Sequence, residues 1–136
     1  MDRLSRRLKT AEQALNTLVK VLVERKTEIV RDAAIQRFEY TFEAVWKAGQ
    51  LFLREREGLQ AASPKAAIRA CGEVELLNED QVSAALQMAD DRNLTVHTYN
   101  EDLAEALYGR LPGHARLLGE WLQVMIGPKP WDSGGN

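Results

Sequence analysis

The sequence has little of what would make it a membrane protein, a fibrous protein or a disulfide-held protein. Among 136 residues there is one cysteine, Cys71, so no internal disulfide can form and a reducing compartment is expected. The 9 glycines and 4 prolines are too few for a collagen-like or disordered chain. No apolar run is long enough to span a bilayer, and the charged N-terminal stretch lacks the apolar segment of a signal peptide. These absences predict a cytoplasmic protein without membrane association.

An excess of one charge is also absent. The sequence has 18 Lys and Arg against 20 Asp and Glu, a formal net charge of −2, which excludes a protein that coats nucleic acid by bulk charge. Any contact with RNA or DNA must therefore come from a local cluster. The sequence contains no Walker loop, no GxGxxG and no zinc-ligand spacing, so we expect no metal site and no bound cofactor. It also lacks the Gly-Ser and spaced carboxylates of a nucleotidyltransferase that holds two metals.

Apolar residues recur at steps of three and four, which predicts amphipathic helices almost throughout. No window alternates apolar and polar residues, so we expect no strands. The predicted helices cover about 3–24, 28–55, 64–76, 79 into the 90s, and a fifth segment that begins after Asn100. Ser63, Asn78 and Asn100 are the predicted N-caps of the last three, with Pro64 at a first helical position and Gln81 completing a capping box.

Five helices with short connections pack most simply as an antiparallel up-and-down bundle. We expect Pro112-Gly113 to bend or break the fifth helix before its apolar stripe resumes at Leu117. The first two helices are longer than one compact bundle needs, so a homodimer is expected. The prediction is thus an all-α domain over residues 1–126, followed by a flexible tail over 127–136.

Four side chains suited to phosphodiester chemistry lie within eight residues of one another. Arg92 is a permanent cation that could bind non-bridging phosphate oxygens, and Asn93 could orient the phosphate or hydrogen-bond the arginine. Histidine is the residue type suited to proton transfer near neutral pH, so His97 could move a proton to or from a ribose oxygen. Tyr99 could stack on a base, donate a hydrogen bond or be modified. The window therefore predicts a candidate catalytic pair, Arg92 and His97, with Asn93 as its polar neighbour.

Helical geometry limits this interpretation. Arg92 and His97 are five residues apart and diverge by about 140° on an unbroken helix. They converge on one phosphate only if the arginine swings over, if the helix breaks between them, or if a second subunit supplies one group. A structural alternative stays open, in which Tyr99 is a core aromatic and His97 only offsets a helix dipole.

The other notable side chains favour structural roles. Trp46 and the phenylalanines of the second helix lie at helical spacing and are expected in the core or a dimer contact. Cys71 is expected to be a small buried hydrophobe, and His114, which follows the Pro-Gly pair, a surface residue. The basic cluster Arg3, Arg6, Arg7 and Lys9 is either a solvated helix face or a surface that steers RNA.

The pattern Arg92-Asn93-x3-His97-x-Tyr99 resembles the signature of HEPN domains: an arginine, a polar residue, a histidine after four to six positions, and often a tyrosine. The segment 35–47 is similar to the long helix of one branch of that family, the nucleotidyltransferase substrate-binding proteins. Ser63-Pro64 and the segment 91–101 match the same branch in order and spacing. The similarity covers roughly residues 5–125, without Pro112-Gly113 and the tail.

This resemblance implies a dimeric helical bundle that pairs with a small, separately encoded nucleotidyltransferase. Such pairs often act as toxin and antitoxin, in which the HEPN protein cleaves RNA without metal and the transferase silences it by attaching AMP. By this resemblance Arg92 and His97 are the cleavage pair, Asn93 is their polar neighbour and Tyr99 accepts AMP. Some members are described only as nucleotide- or substrate-binding subunits, so that alternative remains open.

Overall fold

The computed structural model of the protein describes residues 2–127, which form five α-helices and one short 3₁₀ turn. The helices are α1 (Arg3–Leu22), α2 (Glu28–Glu57), α3 (Pro64–Glu73), α4 (Glu79–Leu94) and α5 (Glu101–Ile126), with the 3₁₀ turn at Thr95–His97. No strand occurs in this part of the chain, so the predicted all-α fold is confirmed. None of these five helices combines the length and the apolar character needed to cross a lipid bilayer.

Side-chain caps fix where the helices begin. The Ser63 hydroxyl accepts a hydrogen bond from the Ala66 amide at 3.2 Å, and Pro64 occupies the first turn of α3. Asn78 and Gln81 form the predicted capping box at the start of α4, with hydrogen bonds of 2.8 and 2.9 Å. Each cap satisfies amide groups that have no partner inside the helix. These predicted helix starts are therefore confirmed.

The three long helices α1, α2 and α5 pack against one another and enclose most of the core. The short α3 lies on α2 and α4, and α4 packs on α5 and α2. The largest fully buried side chains include Phe38, Phe42, Leu107, Leu118 and Trp121. Trp46 and Phe52 are also buried, in line with the core position that was one of the two roles predicted for Trp46 and the phenylalanines of α2.

A break at Pro112-Gly113 was one of the two outcomes expected for the fifth helix, and it does not occur. The helix continues from Glu101 to Ile126 with Pro112 inside it. Pro112 is exposed while Leu111 and Leu118 are fully buried, so the missing amide lies on the solvent side and both halves of the helix share one buried face. Burial of that continuous face outweighs a proline cost of about 3 kcal/mol. The predicted tail lies outside the described residues apart from Gly127, and the homodimer stays a prediction.

Candidate functional site

The chain changes course between Arg92 and His97. The α-helix ends at Leu94 and tightens into the 3₁₀ turn, so the two side chains do not share one regular helix. Thr95 fastens this turn to the bundle, because its buried hydroxyl lies 2.9 Å from a Glu39 carboxylate oxygen and 2.8 Å from the Arg92 carbonyl oxygen. The candidate site therefore lies on a short turn that the contact between Thr95 and Glu39 attaches to α2.

Arg92 and Asn93 line a cleft of about 340 Å³ between α2, the start of α3 and α4. The Arg92 Nε atom lies 3.3 Å from Glu43 Oε1, an ion pair whose geometry falls short of a hydrogen bond. Lys65 also lines the cleft, and its ammonium group lies 2.6 Å from Asp90. The cleft is therefore lined by two cations and an amide, groups that bind a phosphate oxygen, and also by the Glu43 carboxylate that pairs with Arg92.

His97 and Tyr99 form a second pair, on the exposed side of the turn. The Tyr99 side chain is 83% exposed, and its hydroxyl lies 3.4 Å from His97 Nδ1. The two rings meet edge to face with their centroids 5.9 Å apart. Tyr99 is consequently not a core aromatic, and both side chains are open to a ligand or to a second protein.

The four predicted site residues therefore fall into two pairs. Within residues 2–127 no hydrogen bond or ion pair joins Arg92 to His97, and His97 does not line the Arg92 cleft. One chain offers an arginine–amide pair and a histidine–phenol pair on the same short segment. The break in the helix alone does not bring the guanidinium and the imidazole into contact.

His114 is a buried residue, so its predicted surface position is wrong. Its Nε2 atom donates a hydrogen bond to Asp91 Oδ2 at 2.7 Å, and its ring stacks on Phe38 with centroids 5.2 Å apart. Arg110 donates to both oxygens of the same carboxylate, at 2.7 and 2.9 Å. Burial raises the pKa of Asp91, but the hydrogen bonds from Arg110 and His114 outweigh it and hold this pKa below its ordinary value. This network fixes the end of α4 next to Arg92.

Sequence reasoning missed Glu39 and Glu43, which connect the candidate site to α2. Glu43 faces Arg92, and Glu39 contacts the Thr95 hydroxyl. Two glutamates four residues apart repel each other on a helix unless cations or donors from another element face them. That spacing was the available signal for a polar contact on this part of α2.

Comparison with known proteins gives a consistent result. The family model described as "Nucleotidyltransferase substrate binding protein like" matches residues 6–126. A protein of known crystal structure from Thermus thermophilus is 55% identical, with a TM-score of 0.83 over 86% of this chain and 99% of that chain. The comparison with curated proteins found no match.

Two more distant structures share the fold. HI0074 from Haemophilus influenzae, described as a substrate binding domain of a nucleotidyltransferase, is 21% identical, with a TM-score of 0.75 over 88% of this chain and 99% of that chain. The tri-AMPylated Shewanella oneidensis HEPN toxin, solved in complex with an MNT antitoxin, is 14% identical, with a TM-score of 0.75 over 93% of this chain and 98% of that chain. At these identities the likeness is one of fold.

Proposed function

The chain belongs to the family of nucleotidyltransferase substrate-binding-like proteins, and from this premise we propose that it is the HEPN-type partner of a separately encoded minimal nucleotidyltransferase. In this proposal it is the toxin of a toxin–antitoxin pair, a metal-independent endoribonuclease that is silenced when AMP is transferred to Tyr99. The observation that carries the proposal is the contact between Tyr99 and His97 on an exposed turn, 3.4 Å apart. The proposed activity needs cellular RNA, so the protein would act in the cytoplasm.

The proposed cleavage is a transesterification within the RNA. The ribose 2′-oxygen loses its proton and attacks the adjacent phosphorus, the bond from phosphorus to the 5′-oxygen breaks, and the departing oxygen takes up a proton. The products are a 2′,3′-cyclic phosphate and a 5′-hydroxyl. His97 is assigned one of the two proton transfers. Arg92 would offset the negative charge that grows on the phosphoryl oxygens, and Asn93 would orient them.

A homodimer is the arrangement we propose for the complete site. In a single chain Arg92 lies in the α2–α4 cleft and His97 lies outside it. Two copies related by a twofold axis would place the arginine–amide pair of one subunit opposite the histidine–phenol pair of the other. Val96, which is 65% exposed beside His97, supplies apolar surface for such a contact.

Modification of Tyr99 would act directly on His97. In the transfer, the phenol oxygen attacks the α-phosphorus of ATP, loses its proton and releases pyrophosphate. The resulting phosphodiester removes the phenolic proton and adds a negative charge and an adenosine close to the imidazole. A bound RNA phosphate would then meet electrostatic repulsion and a steric block at the same position.

The alternative is a non-catalytic subunit that binds a nucleotide or substrate for the transferase. The observation that favours it is the composition of the Arg92 cleft, which contains Arg92, Asn93 and Lys65 but not His97. Such a cleft could hold a phosphate group without any proton transfer. This alternative predicts nucleotide binding and complex formation but no cleavage by the protein alone.

The test is RNA cleavage by the purified protein without its partner, in the presence of EDTA. We expect cleavage products with cyclic phosphate ends, and a rate at least about 100-fold lower for His97→Ala, the usual contribution of a general acid or base. The control is Val124→Ala, an exposed valine near the C-terminal end of α5 that lies in neither residue pair of the site nor in the proposed dimer contact. Equal cleavage by the His97→Ala variant and the unmodified protein would exclude His97 from the mechanism.

Mass spectrometry after incubation with the transferase and ATP tests the modification. We expect the mass of one or more adenylate groups on the protein and none on Tyr99→Phe. Adenylation that persists in Tyr99→Phe would move the acceptor elsewhere. Absence of cleavage combined with specific nucleotide binding, lost in Arg92→Gln, would favour the binding subunit.

A further inference from the structure

Positive charge is concentrated on the surface between α1 and α2. A cleft of about 420 Å³ is lined by Arg3, Arg7, Lys47 and Arg54, together with uncharged residues. A neighbouring cleft of about 370 Å³ shares the first three of these cations and adds Arg6. We call these five cations and the surface between them the basic groove. No carboxylate of residues 2–127 lines either cleft, although the whole sequence has a net charge of −2.

The groove is built by regular helix geometry and a fixed loop. Arg3 and Arg7 are one turn apart on α1, and Lys47 and Arg54 are two turns apart on the facing side of α2. The Gln50 side chain donates a hydrogen bond to the Ala61 carbonyl at 2.6 Å, which ties the loop after α2 to the helix and forms one wall. The cations therefore project from fixed elements.

Most of this charge is not neutralised within the chain. In the described part of the protein, no carboxylate lies within 4 Å of Arg3, Arg7 or Arg54. Asp2 is adjacent in sequence, but its carboxylate caps α1 by accepting from the Ser5 amide at 2.7 Å. Like charges held this close repel one another, so an anion that enters the groove gains attraction and relieves that repulsion.

Glu43 lies between the basic groove and the Arg92 cleft and contacts one cation of each. One oxygen of this carboxylate lies 3.8 Å from Lys47 at the edge of the groove, and the other lies 3.3 Å from Arg92 in its cleft. From Glu43 to Arg54 along α2 is about 16 Å at 1.5 Å per residue. An anion that reaches both ends must therefore be a polymer with several charges.

We propose that the basic groove binds the sugar–phosphate backbone of an RNA strand whose scissile phosphate lies at the Arg92 cleft. The choice of RNA as the polyanion rests on the proposed function. No aromatic side chain lines the groove within residues 2–127, so it has no platform on which a base or a free nucleotide would stack. Without such a platform, guanidinium groups bind the phosphates of the backbone and do not distinguish one base from another. The groove thus supplies affinity without sequence selection.

The test is RNA binding measured separately from cleavage. A fluorescein-labelled single-stranded oligoribonucleotide, long enough to span α2, is titrated with the full chain carrying His97→Ala, and anisotropy is followed over a series of salt concentrations. The groove variant adds Arg3→Gln, Arg7→Gln and Arg54→Gln. The matched control adds Lys20→Gln, Arg25→Gln and Arg116→Gln, the same charge change at exposed positions outside the groove.

Loss of three phosphate contacts lowers the slope of log K against log salt by about 2, because each contact contributes about 0.7 on a single strand. At about 0.1 M salt the same change weakens binding by about 100-fold. We expect this loss in the groove variant and less than a threefold change in the control. Circular dichroism of both variants checks that the fold is kept, and single substitutions at Lys47 and Arg54 provide a second, milder series.

Equal affinities of the groove variant and the control would overturn the proposal. A second result would also overturn it: the groove variant no longer binds ATP, as measured by calorimetry, but its RNA affinity is unchanged. The ligand of the groove would then be a nucleotide. The two proposals fail separately. If RNA binds through the groove but is never cleaved, the groove assignment holds and the proposed ribonuclease activity is wrong. If RNA is cleaved and the groove variant binds it as tightly as the control does, the ribonuclease activity holds and the groove assignment is wrong.

Discussion

Replacing Asp91 by asparagine tests whether the buried carboxylate holds the end of α4 in place. Its side chain accepts two hydrogen bonds from Arg110 and one from His114, all between 2.7 and 2.9 Å. An asparagine of the same size has one acceptor atom and one donor group. The donor group must face either Arg110 or His114, both of which also donate, so at least one buried hydrogen bond is lost along with the charge.

The expected cost can be worked out from these contacts. A hydrogen bond to a charged group contributes about 1.5–3 kcal/mol, and breaking a buried ion pair costs about 3–5 kcal/mol. The Arg110 side chain is 47% exposed, which screens its share of the interaction. We therefore expect Asp91→Asn to lower the free energy of unfolding by about 3 kcal/mol at neutral pH.

The assay is urea denaturation followed by circular dichroism, with Asp90→Asn as the matched control. Asp90 is the exposed neighbour paired with Lys65, and its loss should cost less than about 1 kcal/mol. The native pKa of Asp91 lies below its ordinary value of 3.8, so its stabilisation is complete above about pH 4 and is lost as pH falls through the native pKa. The stability gap between the unmodified protein and Asp91→Asn should therefore narrow in acid. Equal effects of Asp90→Asn and Asp91→Asn would refute this reasoning.

Two glycines and the cysteine give further predictions. Gly58 ends α2 with a φ of 68°, so Gly58→Ala should lower the free energy of unfolding by about 1 kcal/mol. Gly113 lies inside α5 where an added Cβ meets nothing, so Gly113→Ala should raise the free energy of unfolding by about 0.5–1 kcal/mol. If thermal melts show that both substitutions stabilise the protein, or that both destabilise it, the conformations assigned to the two glycines are wrong. Burial raises the pKa of Cys71 to about 11, so iodoacetamide near pH 8 should label the thiol only after unfolding in urea. Rapid labelling of the folded protein would show that Cys71 is accessible.

The local features of the fold were predictable from the sequence because neighbouring residues determine them. Ser63, Asn78 and Asn100 each cap a helix through an amide three positions later, so the short-range pattern contains all the information needed. The phenylalanines of α2 recur at helical spacing, and Phe38 and Phe42 are buried as expected.

Features that depend on packing between helices were missed. His114 has no partner nearby in sequence and meets Asp91, 23 residues away, only when α4 lies on α5. A break at Pro112 was one expected outcome because local rules do not show that its missing amide faces solvent. The spacing of Arg92 and His97 could be read from the sequence. A contact between two subunits, as proposed for these two residues, produces no recurring pattern in a single sequence. Whether the two groups share a phosphate therefore stays a prediction.

If Tyr99 is modified as proposed, its exposed position would separate control of the activity from folding. Its phenol contributes nothing to the packed interior, so a group attached there changes the charge and shape of the turn at no cost to the stability of the helices. Another enzyme could add such a group to the native protein, and a hydrolase could remove it, without any helix opening. An activity governed from this phenol could be switched off and restored in the same molecule, with no need to synthesise a new one.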